Sequence, residues 1–169
     1  MSVAMMEYAF TEAEFKLATD EWGANCGPGA LAFATKVTLE ECRKALAREG
    51  FDKKRYTNPT MMRNALFNLR VSFDAMQASK GVMFARFGIS LVRVQWGGPW
   101  MAPGAHHLAR YGHTHWIATA VDPDSPCMVF DVNGGLRHFK SWQDDIVPLL
   151  IPKRGDGTWE PTHIWRIRQ

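Results

Sequence analysis

Nowhere does this sequence run to the ~18–20 consecutive apolar residues that a membrane-spanning helix requires, so no membrane segment is expected. Its opening stretch, MSVAMMEYAF, has no basic n-region and reaches Glu7 early, which argues against a secretory signal peptide. Cysteine is scarce. The three residues Cys26, Cys42 and Cys127 cannot all pair, and their spacing fits no zinc ribbon. With no export signal, free thiols in a reducing cytoplasm are the expectation. Concentrated charge is missing too: the formal net charge is +3, and basic residues cluster only at Lys53-Lys54-Arg55 and around Arg166 and Arg168. A nucleic-acid-binding surface needs a basic stripe with a recognisable motif, so neither nucleic acid nor membrane is expected as a partner.

The 169 residues are 46% apolar. A chain of this length buries roughly 68–70% of the surface its unfolded form exposes, so no disulfide or metal is needed for a core. One domain over residues 1–169 is expected, mainly helical over 1–70 and mainly antiparallel β over 85–169.

A loose helical period covers residues 7–19. After Gly23 and Gly27-Pro28-Gly29 comes an alanine-rich run, Ala30 to Ala34, whose preceding proline marks a helix start. Cys26 then stands at or just before a helix N-terminus. Thr38-Leu39-Glu40-Glu41 is a capping box, with Glu41 expected to reach back to the Thr38 backbone N–H, and that helix runs through Ala47 to a stop at Gly50. Asn58-Pro59 starts another, with Met62, Ala65, Leu66 and Leu69 as its apolar stripe. The period then changes. Ile89 to Trp96, Thr114 to Val121, Met128 to Val132, Leu136 to Phe139 and Thr162 to Ile167 read as strands, and Ser141 as the cap of a short helix over Trp142 to Ile146. Helices first and an antiparallel sheet afterwards make the fold α+β.

Three side chains carry the chemistry. At a helix N-terminus, unpaired backbone N–H groups favour a thiolate at Cys26, and flanking glycines such as Gly27 let a substrate carbonyl approach the backbone. Cys42 and Cys127 read as small buried hydrophobes. A nucleophilic cysteine needs a base, and the base an orienting acceptor. If the Asp122 to Pro126 turn is centred near residue 123, His115 faces Asp131 on one face of a hairpin, and Asn133 shares that parity. Asp131 and Asn133 are both open as the orienting residue. The rival is a zinc site from His106, His107, His113 and His115 with Asp131, but no local spacing matches a zinc element, so no metal and no cofactor are expected. The connection from Gly97 to Gly112, with Trp100, Met101, His106 and Tyr111, is long enough to wall or cover a cleft, or else to be a disordered excursion. Trp96, Trp116, Trp142 and Trp165 read as core.

The run Asn25-Cys26-Gly27-Pro28-Gly29-Ala30-Leu31-Ala32, with the His115-Trp116-Ile117 and Phe130-Asp131 strands, resembles papain-like cysteine peptidases. The nearest branch looks like the bacteriocin-processing (double-glycine leader) peptidases and related bacterial and phage domains, and the resemblance covers roughly residues 10–169. It implies a papain-like packing of the nucleophile helix on the sheet and a Cys26–His115 thiolate–imidazolium pair oriented by Asp131. It also implies hydrolysis of a peptide, isopeptide or related amide bond through a thioester, in a bacterial or phage-infected cytoplasm, on a peptide or protein substrate. The cleft is expected among Gly27, Trp100, His113 and Trp116. The Cys26 backbone N–H would be one oxyanion donor. The family's second donor is a glutamine six residues before the nucleophile; here that position is Asp20, an acceptor only. Asn25 or the Trp22 indole is the candidate substitute. That departure keeps two alternatives open, a catalytically silent protein-binding module and an acyl-transfer, deamidation or transglutamination activity on the same residues.

Overall fold

The computed structural model describes residues 11–21, 25–85 and 87–168. The first helix among the described residues is α1 (Glu12–Glu21). Thr11 caps it: its hydroxyl accepts from the Glu14 N–H at 3.2 Å while the Glu14 carboxylate accepts from the Thr11 N–H at 2.6 Å, a reciprocal cap. Residues 7–10 of the expected helix lie outside the described residues.

Next come α2 (Cys26–Thr35), α3 (Leu39–Arg48), a single turn α4 (Phe51–Lys54) and α5 (Pro59–Asn68). Thr38 caps α3 as expected, accepting from the Glu41 N–H, but the Glu41 side chain accepts from the Thr38 hydroxyl at 2.7 Å and not from its backbone. Asn58 caps α5 through its side-chain oxygen, with Pro59 at the first position.

A six-stranded antiparallel sheet follows, in the order β1-β6-β2-β3-β4-β5. Its strands are β1 (Phe73–Met76), β2 (Gly88–Trp96), β3 (Thr114–Asp122), β4 (Ser125–Asp131), β5 (Gly135–His138) and β6 (Trp159–Ile167). Helix α6 (Lys80–Ala85) links β1 to β2. After β5 the chain is helical from α7 (Phe139–Ser141) through a π-turn at Trp142–Ile146 to α8 (Val147–Leu150). Ser141 is therefore inside this segment and caps nothing. A wide turn of this kind lets Trp142, Ile146 and Val147 all reach the sheet.

The sheet is covered on both faces, which is why β2 and β3 are buried along nearly their whole length. One face carries Leu91, Trp116, Ala118, Phe130 and Trp165 beneath α2, α3 and α5. The other carries Val92, Val94, Ile117, Val129 and Ile164 against Trp142, Ile146 and Val147. Helix α2 packs deepest: all its residues from Gly27 to Ala34 are buried, and Phe33 stacks on Phe130 at 4.7 Å. Its two glycines are fitted to this approach. A Cβ at Gly27 would collide with the Thr57 side chain, and one at Gly29 would come within 3.1 Å of Val132. The architecture is α+β, and among the described residues no helix is long and apolar enough to cross a membrane.

Candidate active site

Three elements meet where α2 begins, β3 starts and β4 ends. Cys26 is the first residue of α2 and half-buried. His115 is the second residue of β3, and Asp131 the last of β4, wholly buried. The hairpin register differs from a turn centred at residue 123. Ala118 pairs with Phe130 and Ala120 with Met128, with an irregularity before Asp122–Ser125. Carried onward, that register sets His115 opposite Asn133 and Asp131 opposite Ile117. A shift of two residues preserves parity, so the His115 and Asp131 side chains still share a face, now as diagonal neighbours.

That diagonal is closed by a hydrogen bond of 2.8 Å between His115 Nε2 and Asp131 Oδ2. Asp131 leaves Nδ1 unused, and the ring acts on the Cys26 thiol through its charge and hydrogen bonding. Asp131 receives three further donors: the Trp142 indole N–H to Oδ2 at 2.8 Å, and the Asn133 backbone N–H (2.9 Å) and side-chain amide (3.1 Å) to Oδ1. Asn133 thus acts on Asp131 and makes no bond to His115. Trp96 stacks on the imidazole at 6.0 Å between centroids, closing its outer side.

The electrostatics follow from these contacts. Burial by itself raises the Cys26 thiol, but the His115 charge, its hydrogen bond and the Trp116 backbone N–H outweigh it and hold the thiol below its ordinary value. For His115, burial works downward, yet the Asp131 and Cys26 charges lift the ring to about 10. Burial would likewise raise Asp131; His115, Trp142 and the Asn133 N–H bring it down instead. The two other thiols move the opposite way to Cys26, burial pushing Cys42 up to about 12 and Cys127 to about 11. A thiolate beside an imidazolium, with a fully bonded carboxylate behind it, is an arrangement able to attack a carbonyl and protonate a leaving amine.

The remaining expected residues are dispersed. Asn25 precedes α2, its carbonyl accepting from the Gly29 N–H at 3.1 Å. Asp20 stands exposed on α1, and Trp22 lies outside the described residues. The Trp116 ring is buried under α2, its indole N–H donating to the Thr57 carbonyl at 2.8 Å, so it offers a backbone donor and no cleft wall. Trp100 is buried as well, with its N–H on the Trp96 carbonyl at 2.7 Å and its ring stacked on His113. The Gly97 to Gly112 connection is ordered through two short 3-10 turns, Pro99–Met101 and His107–Gly112. Buried Gln95 holds its far end, one amide nitrogen donating to the carbonyls of Trp96, Arg110 and His113. Among the described residues no three His, Cys, Asp or Glu side chains are gathered to hold a metal ion.

Composition and periodicity miss the bond of Trp142 to Asp131, because a tryptophan in an amphipathic run reads as core. Its packing is indeed core, but its N–H is spent on Asp131. Trp142→Phe keeps the ring and removes the donor. The expected result is a loss of about 1.5–3 kcal/mol in denaturant unfolding, the usual worth of a hydrogen bond to a charged group. Cys26 should still alkylate at pH 6, because His115 and Asn133 continue to hold the carboxylate. Against known proteins, the chain matches no family model and no curated protein.

Proposed function

We propose that this chain is a papain-like, cysteine-dependent hydrolase acting on a peptide, isopeptide or related amide bond through a thioester at Cys26. One observation carries the reading: the His115–Asp131 hydrogen bond, with the carboxylate bonded also by Trp142 and Asn133 and the imidazole coupled electrostatically to the Cys26 thiol. In this scheme the thiolate attacks the carbonyl carbon and His115 gives its proton to the departing amine. Water, deprotonated by His115, then attacks the thioester, releasing the acid and restoring the thiolate. The Cys26 N–H at the start of α2 is one donor to the developing oxyanion. The compartment that suits a working thiolate is a reducing one, as a bacterial or phage-infected cytoplasm would provide.

A second reading has one specific observation in its favour. Asp20, exposed and able only to accept, stands where the resembled family has an amide donor. Loss of such a donor typically costs 10²–10³ in rate, about what separates an efficient enzyme from a slow one or a binding module. Acyl transfer uses the same residues. Incubation with a tryptic digest of a bacterial lysate in oxygen-18 water separates the three. Hydrolysis predicts heavy oxygen in new carboxyl termini, dependent on Cys26 and lost in Cys26→Ala. New amine-linked products would indicate transfer. An unchanged digest, with Cys26 still readily alkylated, would contradict turnover and favour the binding module.

A further inference from the structure

Arg93 is the single buried lysine or arginine among the described residues, 4% exposed in the middle of the sheet. The register pairs it with Trp116 on β3 and His163 on β6. Its side chain therefore rises on the face that carries α2, next to the residue whose backbone N–H serves the Cys26 sulfur. Between Arg93 and Val94 the register with β6 slips by one, leaving Thr162 unpaired. Bulges of this kind re-aim side chains and recur beside active sites. The Thr162 hydroxyl donates to the Arg93 carbonyl and accepts from Arg93 Nη1, both at 3.2 Å.

A guanidinium has five N–H donors, and among the described residues this one uses a single one on protein. Nε is buried without an acceptor, and no Asp or Glu forms an ion pair with Arg93 among the described residues. Over its outer side lies the ring of Tyr111, itself exposed, 5.8 Å from the guanidinium carbon. Among the described residues, the groups able to carry negative charge within its electrostatic reach are Tyr111 and Cys26. Thioester formation removes the charge at Cys26. If filling space were the purpose, an apolar side chain of similar volume would do it without desolvating a charge.

We propose that Arg93 binds a carboxylate carried by the acyl-donating part of the substrate, so that the bond attacked by Cys26 lies next to an acidic side chain or a free chain-terminal carboxylate. The guanidinium suits this role because it pairs with carboxylates in a two-pronged geometry. The proposal rests on Cys26 being a nucleophilic thiolate, and it adds the class of substrate.

Two alkylating reagents of nearly equal size test it, iodoacetate and neutral iodoacetamide. In both, the thiolate forms a carbon–sulfur bond and iodide leaves; only iodoacetate brings a carboxylate. The rate ratio of the two reagents at Cys26, normalised to that for N-acetylcysteine, should favour iodoacetate on the order of 10- to 100-fold, as hydrogen bonds between charged groups imply. Arg93→Met should abolish the preference, and Arg93→Lys should restore part of it. A wild-type ratio equal to the reference, or a preference that survives in Arg93→Met, would overturn the proposal. Failure of wild-type Cys26 to react with iodoacetamide at pH 6 would overturn the thiolate reading instead, and the proposal with it. Should Arg93→Met not fold, acetate competition in wild type decides. Acetate should slow iodoacetamide labelling where chloride at equal ionic strength does not, and equal effects would count against the site.

Discussion

Replacing His115 with alanine should slow iodoacetamide labelling of Cys26 at pH 6 by about two orders of magnitude. An ordinary thiol with pKa ~8.5 is roughly 0.3% ionised at that pH, whereas a thiolate held by an imidazolium is largely formed. Removing the ring removes both the charge and the hydrogen bond that chiefly oppose burial at Cys26. The effect carries a pH signature that misfolding would not reproduce. As pH rises past 9, the alanine variant ionises by itself and its rate should approach that of wild type. Rates that match at pH 6, measured by mass spectrometry of the Cys26 peptide, would remove His115 from the account.

Asp131→Asn should cost about 3–5 kcal/mol of stability, the usual result of breaking a buried pair by changing one partner. The substitution is conservative in shape only. Asp131 Oδ2 accepts from His115 and Trp142, and Oδ1 accepts twice from Asn133. An amide keeps one acceptor, so whichever way it is turned two donors lose their partner. The pH dependence has a definite sign. Folding lowers the Asp131 pKa, so its contribution is present above the ordinary carboxylate pKa of ~3.9 and is lost as pH falls below that toward the folded value. The gap between wild type and Asp131→Asn should therefore close in acid. His115 runs the other way: folding raises it, so its share is full below pH ~6.5 and disappears as pH climbs toward about 10. Denaturant melts from pH 3 to pH 10 read both. A gap that stays constant down to pH 3 would mean Asp131 is not held as the carboxylate.

Much of this site is local in the sequence, and that part was legible. Cys26 before Gly27-Pro28 announces a helix start, and the turn from Asp122 to Pro126 sets His115 and Asp131 on one face through the two-residue period of strands. The hairpin centre is off by one residue, because the irregularity near Asp122 is a tertiary choice that composition does not encode. Parity survives the error, so the pair does too. Residues that act through non-local contacts were not legible. Trp142 reaches Asp131 only because a π-turn aims its ring at the sheet. Arg93 lies in a strand legible from its β-branched and aromatic residues, but its meaning depends on the register with β3 and β6. Strand β1 has four residues on the sheet edge, fixed by pairing with β6 and an ion pair between Asp74 and Arg168. Nothing so short shows a period of its own. The Gly97 to Gly112 connection looked free of structure, yet Gln95 and Trp100 anchor it to the sheet through backbone carbonyls.

The most direct test of the central claim is the pH profile of alkylation at each cysteine in the unmodified protein, resolved by mass spectrometry. The account predicts that Cys26 labels with an inflection well below the ordinary thiol value of ~8.5. Cys42 and Cys127, which burial holds near 12 and 11, should stay unreactive at neutral pH. A Cys26 inflection at or above ~8.5 would contradict the thiolate–imidazolium pair, and with it the proposed chemistry.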